Sequence, residues 1–67
     1  MEWKDWIGKK IFVRLNSNKV YSGIVLEVEW IGSDSYNQDY YFFTMRDKFG
    51  EIVGFPNKEI LEIKEEK

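Results

Sequence analysis

Apolar side chains recur at every second position along much of this chain. Ile11, Val13 and Leu15 alternate with Phe12 and Arg14, the period of a strand with one face buried and the other wet. Asn16-Ser17-Asn18-Lys19 follows as a turn, because Asn tolerates positive φ and its side chain closes local hydrogen bonds. A longer strand is predicted from Val20 to about Trp30. Gly23 interrupts it, which in a strand points to a bend or a close backbone approach. The stretch from Ile31 to Asp39 is polar and reads as a loop, with Gly32, Ser33, Asp34, Ser35 and Asn37. A third strand, Tyr40 to Arg46, carries the unbroken run Tyr40-Tyr41-Phe42-Phe43. Such a run implies burial on both faces, or burial on one and an interface on the other.

Asp47-Lys48-Phe49-Gly50 predicts a tight hairpin turn, with Gly50 supplying the positive φ. The fourth strand runs from Glu51 to Phe55, and Pro56 ends it because proline removes a ladder donor. Asn57-Lys58-Glu59 reads as one 3₁₀ turn and Ile60 to Lys64 as a short last strand, with a frayed end beyond it. Ahead of the first strand, Glu2 to Ile7 has room for one or two helical turns stopped by Gly8. Trp3, Trp6 and Ile7 would then share a face and cap the strands.

This order predicts an all-β fold: one domain spanning residues 1–67, a five-stranded SH3-like or Sm-like barrel with a short N-terminal helical turn. An OB-fold is the alternative. It carries a helix between its third and fourth strands, and Asp47 to Gly50 is too short to hold one.

Composition adds two constraints. A chain of 67 residues without cysteine has one small core and no disulfide to support it. Lacking histidine as well, it offers neither the commonest general base nor the commonest activated nucleophile, and a structural zinc site would need carboxylates alone. The expectation is a non-enzymatic protein without cofactor or metal. Glu27 and Glu29 project to one strand face as an acid/base pair would, but solvated strand residues do the same. Asp34, Asn37 and Asp39 are ordinary loop oxygens. No Gly-rich phosphate loop occurs. With no signal or membrane-spanning run, a soluble cytoplasmic protein without membrane contact is expected.

Aromatic residues make up 18% of the chain: three Trp, four Tyr and five Phe. A barrel of this size encloses only a few large rings. The remainder either mark an interface with protein or a stacked ligand, or form a second cluster under the N-terminal segment. The net charge of −2 argues against coating duplex nucleic acid through phosphate neutralisation. It leaves room for a local single-stranded RNA site built on stacking.

Gly8-Lys9-Lys10-Ile11-Phe12-Val13-Arg14-Leu15, a turn, and Lys19-Val20-Tyr21-Ser22-Gly23-Ile24-Val25-Leu26-Glu27-Val28-Glu29 resemble the opening half of an Sm/Lsm protein. Tyr21, Gly23, Val25 and Val28 fall in register with that family's bent second strand. The resemblance covers roughly residues 3 to 30 and continues beyond them only as strand order. It implies a homo-oligomeric ring in which the fourth strand of one subunit pairs with the fifth of the next. The family's RNA-pocket motifs are not matched. Glu29 stands at its Asp position, Ser33 at its Asn position, and Gly54-Phe55-Pro56-Asn57-Lys58 replaces its Arg-Gly signature.

Two sets of candidate residues follow. Lys9, Lys10, Arg14, Glu29, Ser33, Asn57 and Lys58 are the candidates for contacting RNA, with Lys19 and exposed rings beside them. Ile52, Val53, Phe55, Ile60, Leu61 and Ile63 crowd two short strands with more apolar surface than one face needs, and are the candidates for an oligomer interface. The expected activity is that of an oligomeric binding scaffold with RNA among its ligands. The alternative is a protein-interaction or assembly module without nucleic acid.

Overall fold

The computed structural model describes residues 2–32 and 39–66. A 3₁₀ turn over Trp3–Trp6 leads into β1 (Lys10–Leu15), β2 (Val20–Ile31), β3 (Tyr40–Asp47) and β4 (Ile52–Pro56). A second 3₁₀ turn, Asn57–Glu59, precedes β5 (Ile60–Glu65). The fold is all-β. All five strands form one antiparallel sheet in the order β4-β3-β2-β1-β5.

The turns use the residues their geometry demands. Asn18 takes φ 70° between β1 and β2, and Gly50 takes φ 87° between β3 and β4. In the second turn Asp47 Oδ1 accepts the backbone N–H of Phe49 at 2.9 Å and of Glu51 at 2.8 Å. Pro56 is the last residue of β4 rather than the stop after it, paired in register with Phe42.

The sheet is strongly curled. Phe55 opposes Phe43, which opposes Val28, seven positions along β2 from Tyr21. In a flat sheet Tyr21 and Phe55 would stand about 25 Å apart. Their rings lie parallel with centroids 6.0 Å apart. The curl is aided by a bulge at Leu26: Val25 opposes Met45 and Glu27 opposes Thr44, leaving Leu26 without a partner. An extra residue of this kind bends the strand and resets its phase. Val25 and Val28 therefore both face inward although they are three residues apart.

The concave face carries the core: Ile11, Val13, Leu15, Val25, Val28, Phe43, Met45 and Phe55. The N-terminal turn packs onto it through Trp3, whose ring meets Phe43 edge-on at 5.7 Å, and through Trp6. Ile7 does not join them and is exposed. A single 3₁₀ turn ends at Trp6, too short to bring a third side chain onto the same face. β4 and β5 share no ladder among the described residues, so the curled sheet keeps two open edges. Among the described residues no helix is long and apolar enough to cross a membrane.

Candidate functional site

The basic residues singled out on β1 lie apart from the candidates at the other end of β2. Lys10 and Arg14 sit on β1, which lies between β5 and the first part of β2, Val20 to Ile24. Glu29 belongs to the last part of β2, opposite Phe42 of β3. Lys9 and Arg14 are already engaged: Lys9 Nζ lies 3.6 Å from Glu65, and Arg14 Nε 3.5 Å from Glu62. Lys9 is half-buried and its partner Glu65 exposed, and Arg14 and Glu62 are both exposed, so these pairs contribute little to stability.

Glu29, Asn57 and Lys58 do gather at one end of the sheet. Phe42 links Glu29 on one side to Pro56 on the other, and Asn57 follows directly. Asn57 has a structural task here. Its Oδ1 accepts the Tyr41 backbone N–H at 2.9 Å, carrying the β3–β4 pairing one step beyond proline. The ammonium of Lys58 stands 5.5 Å from the centre of the Tyr40 ring. Trp30, opposite Tyr41, is 51% exposed. Among the described residues this end therefore brings together the Tyr40 and Trp30 rings, Lys58 and the exposed carboxylates of Glu29 and Asp39. Ser33, Asp34 and Asn37 lie outside the described residues.

The six interface candidates separate by the side they face. Ile52 and Leu61 are 56% and 59% exposed, one on each open edge strand. Leu61 stands at a shift of register, since Arg14 opposes Glu62 and Leu15 opposes Ile60. Val53, Ile60 and Ile63 are half-buried and packed against the core. Phe55 is inside the core, because its cross-strand partner Phe43 points inward. What Phe55 offers a neighbouring molecule is its backbone on the β4 edge, not its ring.

One surface brings a candidate from each set, Lys10 and Ile52, together with residues that neither set contains. The convex face aligns Lys10, Ile24, Arg46 and Ile52 in a single cross-strand row over β1, β2, β3 and β4. The next row pairs Lys64 with Phe12 and Phe12 with Ser22. Sequence offers part of this pattern, since outward positions alternate along each strand. It does not reveal that Arg46 meets Ile24, because the connection between β2 and β3 leaves their register open.

Glu27 and Glu29 are exposed, and Glu27 Oε1 accepts the N–H of Val28 at 3.2 Å. Among the described residues no three Asp or Glu side chains assemble into a cation site. Comparisons of the chain with family models, with curated proteins and with solved structures return no match.

Proposed function

We propose that this chain is a non-catalytic, Sm-like scaffold whose subunits join edge to edge, β4 of one against β5 of the next. The observation that carries this reading is the pair of open edges, each with an exposed aliphatic residue, Ile52 or Leu61. An unpaired strand is a template for another strand. A head-to-tail contact between two different edges repeats from subunit to subunit and ends in a ring when the rotation closes. The sequence resemblance over residues 3 to 30 supports the same arrangement. Sedimentation velocity of the intact chain tests it, with Ile52→Lys and Leu61→Lys as the edge variants.

Single-stranded RNA is the second reading, favoured by the exposed indole of Trp30 and by the Lys58–Tyr40 pair at the same end of the sheet. Rings beside cations accept unstacked bases without strict sequence preference. Filter binding with oligo(U) and oligo(A) at low and moderate salt tests it. Salt-sensitive retention of either homopolymer supports RNA contact. Retention of neither leaves a scaffold that serves protein partners.

A further inference from the structure

We propose that the convex face of the sheet holds an extended acidic peptide of a partner protein, in a groove between β1, β2 and β3. This goes beyond edge assembly and uses a different face. Two adjoining hollows of about 510 and 400 Å³ share Ser22, Lys48 and Glu66. Lys10, Arg46 and Lys48 line the larger one, and none of the three makes an ion pair among the described residues. Both carboxylates that also line it are engaged: Asp47 in the hairpin turn, Glu66 as acceptor for the Ser22 hydroxyl.

Glu66 supplies the stand-in for the ligand. Its backbone N–H donates to the Lys10 carbonyl at 2.8 Å, so it continues the β5 path along β1 while its carboxylate enters the groove. A carboxylate on an extended backbone thus fits at Ser22; the larger hollow sets three cations against the charges of Asp47 and Glu66, an excess of one positive charge, with Lys48 Nζ 5.4 Å from the centre of the Phe49 ring. Ile24, 40% exposed between Lys10 and Arg46, gives an apolar side chain a seat; Phe49, 79% exposed in the hairpin turn, flanks the smaller hollow. A polyanion suits this surface less well, because nucleic acid affinity rests on neutralising many phosphates and the chain carries a net charge of −2. A peptide with a few carboxylates needs only the local cations.

The test is an amide NMR titration of the intact, isotopically labelled chain. Its probe is a short end-blocked synthetic peptide of alternating glutamate and leucine. The comparators are an alternating lysine–leucine peptide and oligo(U). The expected result is selective shifting of the Ser22, Gly23, Ile24 and Arg46 amides by the acidic peptide. Lys10→Ala and Arg46→Ala should each weaken binding about 3-fold, as expected for exposed charge pairs. Glu66→Gln, which discharges the internal competitor, should strengthen it by a similar factor. Arg46→Lys keeps the charge and should bind nearly as the parent does. Several results overturn the proposal: no shifts, shifts elsewhere, equal response to the lysine peptide, affinity indifferent to these variants, or oligo(U) moving the same amides at lower concentration. None of these bears on whether β4 and β5 join between subunits, which sedimentation reads separately.

Discussion

A Cβ atom on Gly23 would fall 2.7 Å from the Asp47 Cα and within contact of the Arg46 carbonyl group. Glycine is thus required where β2 crosses β3, since backbone cannot yield as a flexible side chain does. Gly23→Ala should cost about 3 kcal/mol, the upper range for overpacking. A domain of 67 residues has about 3–10 kcal/mol in all. The expected outcome is a large fall in the urea midpoint, and an unchanged midpoint would show that the strands separate easily there.

Asn57 is an acceptor for Tyr41 before it is anything else. Asn57→Ala orphans that N–H and should destabilise the fold by about 1–2 kcal/mol. Asn57→Asp keeps the acceptor and should recover most of the loss. Urea denaturation of both variants checks this, and equal stability of Ala and Asp would remove the structural role.

Trp3 anchors the N-terminal turn through Phe43. Trp3→Ala should cost about 2–3 kcal/mol, less than the 3–5 typical of a fully buried tryptophan because Trp3 is only half-buried. Loss of near-ultraviolet circular dichroism should accompany a lower thermal midpoint. Retention of both would mean the turn is an appendage to the sheet.

Much of this fold is legible residue by residue. Ile11, Val13 and Leu15 declare β1 by their alternation, Asn18 and Gly50 mark the positive-φ turns, and Asn57–Glu59 is the 3₁₀ turn. Gly23 reads as a bend or a close approach, and the structure makes it the close approach. The bulge at Leu26 is different. It depends on how β2 pairs with β3, and no local pattern around Leu26 encodes that pairing. The same reason hides the groove: Ser22, Arg46 and Lys48 come from separate strands and the hairpin turn. Phe55 reads as interface because apolar side chains crowd the two last strands, yet the register with Phe43 turns it inward. Helical spacing groups Ile7 with Trp3 and Trp6, an arrangement that a single 3₁₀ turn does not sustain.

Edge pairing makes a further prediction that spares the fold. Ile52→Lys and Leu61→Lys replace exposed side chains, so monomer stability should change by no more than about 0.5 kcal/mol. Charge at a sheet edge discourages strand addition. Each variant should therefore lose assembly while its denaturation midpoint at low concentration stays near that of the parent. Loss of folding instead would make these side chains part of the monomer's own packing.

Sedimentation velocity of the intact chain at tens of micromolar tests the assembly most directly. The scaffold account predicts a discrete species at a multiple of 8.1 kDa, reverting to the single-chain mass in the Leu61→Lys variant. A parent chain that sediments as one 8.1 kDa particle would contradict it.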